Sequence, residues 1–109
     1  MQGILNISLE DIKSNWMALN HASNGKAAAV IKANAYGIGM IKVAKTLIES
    51  GCNYFYVANI DEGIQLRNEV KSKDIKIAVF EGFIRGTEQT YIKYKLNPII
   101  NNLDQLMRL

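Results

Sequence analysis

One cysteine, one histidine, one proline and one tryptophan occur in 109 residues, and the scarcity of the first two closes off classes of chemistry. Cys52 has no partner for an internal disulfide, which excludes a stapled secreted scaffold; between Gly51 and Tyr54 it suits packing at a helix-to-strand junction. His21 stands alone. It has no second ligand at metal spacing and no place in a Ser-His-Asp triad, so no metal site is expected. Long hydrophobic runs are missing as well: Ala27 to Ile31 and Ile77 to Phe80 are far too short to span a bilayer, and the N-terminus lacks the charged-then-apolar-then-small order of an export signal. The reading is a cytoplasmic protein with no membrane partner. Nor is one sign of charge in large excess, since 13 Lys+Arg against 10 Asp+Glu leave +3. The lysines are scattered from Lys13 to Lys95, and the tightest groups, Lys71/Lys73/Lys76 and Lys93/Lys95, fall where solvated element ends are expected. No nucleic-acid footprint forms.

What is present is an ordinary globular composition, 49% hydrophobic and 21% charged, in a length that suits one domain burying roughly 60–70% of its unfolded surface. Ser8 and Asp11 resemble a capping box, and Leu9, Ile12, Trp16 and Leu19 recur at helical spacing, predicting a helix over 9–22. Asn24 and Gly25 break it. The run from Ala27 to Ile31 then has the length and apolarity of a strand buried in a parallel sheet. A second helix carries Ile41, Val43, Ala44, Leu47 and Ile48 with Gly51 as its stop. A second strand runs from Tyr54 to Ala58. Asn59 or Asp61 caps a third helix through Ile64, Leu66 and Val70, Ile75 to Phe80 is β-like, and Thr87 to Lys95 is a short fourth helix. A brief strand over 97–100 should have its proline at the start. Asn102 and Gln105 open a last helical pattern through Leu103, Leu106, Met107 and Leu109 that stops without a cap, so the chain reads as cut short.

Strands alternating with helices in this way predict an α/β fold with a parallel sheet, either doubly wound or part of a (β/α) barrel. In both, ligands bind at the C-terminal ends of the strands. Lys32 lies there, at the end of the first strand and ahead of Tyr36-Gly37-Ile38-Gly39. Desolvation at such a place lowers a lysine's pKa and frees its amine to attack an aldehyde. Gly37 and Gly39 allow close backbone approach, and the helix start that follows favours an anion such as a phosphate. Lysines at strand ends also snorkel to the surface with no role in chemistry.

The string Ala29-Val30-Ile31-Lys32-Ala33-Asn34-Ala35-Tyr36-Gly37 closely resembles the pyridoxal-phosphate signature of bacterial alanine racemases. Val43-Ala44 and Leu47, Phe55-Tyr56-Val57-Ala58, Glu62-Gly63, Leu66-Arg67 and Glu81-Gly82-Phe83 are similar to the family in the same order. The resemblance implies the N-terminal part of a (β/α)8 TIM-type barrel, about four β/α units. The rest of the barrel and a β-rich C-terminal domain would lie outside residues 1–109. It implies pyridoxal 5'-phosphate as cofactor, alanine as substrate and a homodimer. Lys32 is then the lysine that holds the cofactor as an internal aldimine and serves as one of two opposed acid-base groups. Tyr36 contacts the cofactor phosphate, and Phe80 stands beside the cofactor ring where a leucine is usual. The second base, a tyrosine, belongs to the partner subunit's C-terminal domain. Packing roles also suit two of these residues, Tyr36 as a cap on the barrel mouth and Phe80 as core. Ile38 departs from a frequent histidine. Two readings follow: a truncated alanine racemase, or a non-catalytic remnant that binds cofactor weakly or self-associates. A racemase for another amino acid is the related alternative.

Overall fold

The computed structural model of the chain describes residues 8–31, 39–72, 74–81 and 85–99. Helices and strands alternate along them: α1 (Leu9–Ala22), β1 (Ala29–Val30), α2 (Met40–Glu49), β2 (Tyr54–Val57), α3 (Ile60–Glu69), β3 (Lys76–Val79), α4 (Glu88–Tyr94) and β4 (Leu96–Pro98). The four strands make one parallel sheet in the order β1-β2-β3-β4. That order is the stepwise winding of a (β/α) barrel, because a doubly wound sheet reverses direction at a switch point. Of the two architectures compatible with the sequence, the barrel is the one formed, in its opening units. The helical pattern over 102–109 lies outside the described residues.

Local chemistry accounts for the element ends. Ser8 caps α1, its hydroxyl accepting the Asp11 N–H at 3.0 Å. The expected apolar stripe of α1 is shorter than its spacing implies, with Trp16 buried, Leu9 and Ile12 partly buried and Leu19 65% exposed. Past Trp16 the helix borders an open hollow of about 470 Å³, with Asn20, His21 and Ser50 on its walls. At the end of α2, Gly51 adopts φ +107° and donates to Ile48 O, while Cys52 N–H reaches Leu47 O at 2.9 Å. This is the 6→1 and 5→2 pairing of a Schellman motif, which favours glycine at that position. Cys52 is buried, and burial pushes its thiol above the ordinary pKa, as suits a packing residue.

Two further ends refine the sequence reading. Asn59, not Asp61, is the N-cap of α3, its side-chain oxygen accepting the Glu62 N–H at 2.9 Å. In return Glu62 Oε1 accepts the Ala58 N–H at 2.8 Å, fixing the turn at the C-terminal end of β2. Pro98 closes β4 instead of opening it. The strand starts directly from Lys95, which is left-handed at φ 54°. Ile99 N–H donates to Val79 O at 3.3 Å, and the alternation of a parallel ladder turns the neighbouring Pro98 nitrogen away from β3. As β4 pairs with β3 alone, the missing N–H breaks no ladder bond.

The core lies between the sheet and its helices. Phe55, Val57, Ile77 and Val79 are fully buried with Leu66 of α3, Leu47 of α2 and Leu96 of β4 around them. Arg67 belongs to the same layer, 8% exposed at the end of α3. Its guanidinium donates to Tyr94 O at 2.9 Å and to Ile75 O and Lys95 O at 3.0 Å each. One side chain thus ties α3 to the residues that enter β3 and β4.

Candidate active site

Alternation along the strands separates two faces of the sheet. Ala29, Ile31, Phe55, Val57, Ile77 and Val79 are buried and belong to the core. Val30, Tyr54, Tyr56 and Ala78 have the opposite parity and so occupy the other face. Val30 there is 61% exposed. Register places Val30 beside Tyr56, Tyr56 beside Ala78, and Ala78 beside Asn97 in one row across the sheet.

Three aromatic rings stand in file on this open face. Tyr54 stacks on Tyr56 with centroids 5.2 Å apart and an interplanar angle of 10°, and Tyr56 stacks on Phe80 at 5.3 Å and 26°. A hydrogen bond with the Tyr54 phenol, followed by charge interaction with it and by burial, raises the pKa of Tyr56 above its ordinary value. Phe80 sits at the C-terminal end of the sheet, where its N–H donates to Val57 O at 2.8 Å and the next N–H, from Glu81, to Ala58 O at 3.0 Å. It is 46% exposed.

Lys32 and Tyr36 lie outside the described residues. The backbone on either side of them is defined. Ile31 N–H donates to Tyr56 O at 2.8 Å, so the pairing of β1 with β2 continues to the residue before Lys32. On the far side, Gly39 is the N-cap of α2 with φ +101°, makes no side-chain cap bond, and is followed by a first turn with no acidic residue. The ring of Tyr56 is stacked by both Tyr54 and Phe80, and α2 starts without a side-chain cap bond or an acidic residue in its first turn, which leaves its positive end unopposed there. Among the described residues, no group of three or more His, Cys, Asp or Glu converges to hold a metal ion. None of their helices is long and apolar enough to cross a membrane.

Tyr56 was not singled out by the sequence reading as a site residue. In Tyr54-Phe55-Tyr56-Val57 every side chain is apolar enough for a buried strand, so hydrophobicity shows no alternation. The signal present is amphipathic character: the two residues with hydroxyls share one parity, and the two without share the other.

Comparisons with known proteins agree with this geometry. Residues 7–109 match the family model described as alanine racemase, N-terminal domain. The chain is 42% identical over 103 residues to the alanine racemase of Rickettsia prowazekii (strain Madrid E), covering 94% of this chain and 25% of that protein. It is 41% identical over 106 residues to the alanine racemase of Dinoroseobacter shibae, covering 95% of this chain and 30% of that one. Among solved structures it is similar to alanine racemase from Bartonella henselae with covalently bound pyridoxal phosphate. The TM-score there is 0.85 at 31% identity, over 94% of this chain and 28% of the other. The chain thus spans between a quarter and a third of the length of these relatives.

Proposed function

This chain belongs to the alanine racemase N-terminal domain family, and from that premise we propose that it is the opening part of a pyridoxal-phosphate-binding barrel that interconverts L- and D-alanine. The remaining strands of the barrel and a C-terminal β domain belong to the complete enzyme in this reading, as does pairing into a homodimer. A cytoplasmic location belongs to it too. The observation that carries the proposal is that the first residues of the Lys32 signature, Ala29 to Ile31, pair with β2 in the parallel sheet, directly before Lys32 in the sequence.

When bound, pyridoxal phosphate supplies a conjugated ring that takes up the electron pair left at the α-carbon after its proton is removed. Lys32 would hold the cofactor through its Nζ and then move a proton at the α-carbon on one face. Tyr36 would bind the phosphate, together with the start of α2. Phe80 would shut water out from one side of the ring and limit its tilt. Inversion needs a second acid-base group on the opposite face. Residues 1–109 contribute one of the two, so this chain by itself is expected to bind cofactor without racemising alanine.

The test is a pyridoxal phosphate titration of the 109-residue chain, followed by its visible absorbance, beside Lys32→Ala. A saturable band in the parent that Lys32→Ala lacks is the expected result. Equal spectra from the two proteins would overturn the assignment of Lys32.

The open face has a second consequence for the isolated chain. Val30 and Phe80 are exposed on it, and among the described residues β1 and β4 each pair on one side only. Two copies joined edge to edge would cover both features. Size-exclusion chromatography with light scattering is expected to give more than the monomer mass. A compact monomer that binds no apolar dye would count against self-association.

A further inference from the structure

We propose that Tyr56 is a positioning residue of the cofactor site, acting through Phe80. The proposal rests on the cofactor reading above and adds to it a residue one position before the end of β2. Phe80 lies just past the end of β3, where the backbone turns away, and it is 46% exposed. A ring in that setting has several staggered orientations available unless a neighbour selects one. Tyr56 has the geometry to do so, its ring 5.3 Å from Phe80 and inclined by 26°.

Tyr56 is itself held from two directions. Tyr54 stacks beneath it at 5.2 Å and 10°. Its backbone is locked on both sides, since β2 pairs with β1 through Val30↔Tyr56 and with β3 through Tyr56↔Ala78. The small side chain of Ala78 leaves the space over β3 in which Tyr56 and Phe80 meet. The carbonyl of Tyr56 also accepts the Ile31 N–H at 2.8 Å, one residue before Lys32. A single residue thus connects the backbone that leads into Lys32 with the ring proposed to flank the cofactor. The file of rings runs from the N-terminal end of β2 to the C-terminal end of the sheet. Orientation set at Tyr54 and Tyr56 is passed to Phe80 by stacking, which depends on ring geometry and not on the phenol oxygen of Tyr56.

The measurement is the pyridoxal phosphate dissociation constant of the full chain, read from the Lys32-dependent band for the parent, Tyr56→Ala, Tyr56→Phe, Phe80→Ala and the double variant Tyr56→Ala/Phe80→Ala. Far-UV circular dichroism accompanies each to confirm folding. Tyr56→Ala is expected to weaken binding roughly three- to tenfold, the worth of an aromatic pair. Tyr56→Phe, which keeps the ring, should stay within about twofold of the parent. In the Phe80→Ala background Tyr56→Ala should have no further effect, because the residue it positions is gone. Unchanged binding in a folded Tyr56→Ala, or independent effects in the double variant, would overturn the proposal and leave the cofactor reading standing. Should Tyr56→Ala not fold, Tyr56→Leu takes its place in the cycle under the same criteria. A parent without any Lys32-dependent band would overturn the cofactor reading and the proposal together.

Discussion

Arg67→Ala is expected to destabilise the chain by about 3 kcal/mol or more, the largest loss foreseen for any single polar side chain in it. The guanidinium spans three carbonyl oxygens, on Ile75, Tyr94 and Lys95, and sits 8% exposed. Burial lowers its pKa from the ordinary arginine value, yet a guanidinium keeps its proton under protein conditions. Alanine removes the charge and all the donors at once and leaves carbonyls that water cannot reach freely. The penalty for orphaned acceptors then exceeds the net worth of the bonds themselves. Arg67→Lys separates the contributions, because an ammonium keeps the charge but cannot present a planar fork to acceptors on different segments. It should recover less than half of the loss. Urea unfolding followed by circular dichroism checks both variants; a midpoint for Arg67→Ala within error of the parent would show that the three bonds carry no net stability. Arg67 joins residues that lead into β3 and β4, at the end of the sheet remote from Phe80. A folded Arg67→Ala should therefore keep its Lys32-dependent absorbance band.

That separation of ends also explains what the sequence disclosed and what it withheld. The helices and strands were legible because caps and stops are local chemistry: Ser8 with Asp11, Asn59 with Glu62, and Gly51 after α2 announce themselves within four residues. Pro98 was misplaced because its tolerance depends on a tertiary fact, that β4 pairs on one side only. Leu19 was expected on a buried stripe, although helical periodicity says which residues share a face and not how far along the helix a neighbour extends. Lys32 and Tyr36 are proposed from a contiguous string, and both lie outside the described residues. Arg67 was visible only as part of a resemblance, since its three acceptors lie between 8 and 28 residues away in sequence. The role proposed for Tyr56 needs the register of β1, β2 and β3 together, which no stretch of sequence contains.

Gly63→Leu is expected to cost about 3 kcal/mol, by a mechanism opposite to that of Arg67→Ala: too much matter instead of too few bonds. Glycine within a helix is worth about 1 kcal/mol less than alanine, so its place in α3 has to be explained by packing. A Cβ at Gly63 would stand 3.1 and 3.2 Å from the two methyl carbons of Leu96 and 3.6 Å from Cγ2 of Val57. The helix therefore rests on β2 and β4 with only a hydrogen between them. For Gly63→Ala, a shift of Leu96 by a few tenths of an ångström roughly cancels the helix-propensity gain, and its stability should fall near that of the parent. Leucine has no such escape, because Val57 and Leu96 are both buried. Leu96→Ala by itself should lose about 3 kcal/mol to the cavity it leaves. In the double variant the new leucine fills that cavity, so the combined loss should be smaller than the sum of the two by more than about 1 kcal/mol. Additive losses would refute the contact. The effect should also reach the site, since Glu62, next to Gly63, holds the Ala58 N–H at the C-terminal end of β2. Lifting α3 from the sheet pulls on that bond, so Gly63→Leu should weaken pyridoxal phosphate binding in protein that is still folded, where Arg67→Ala should not.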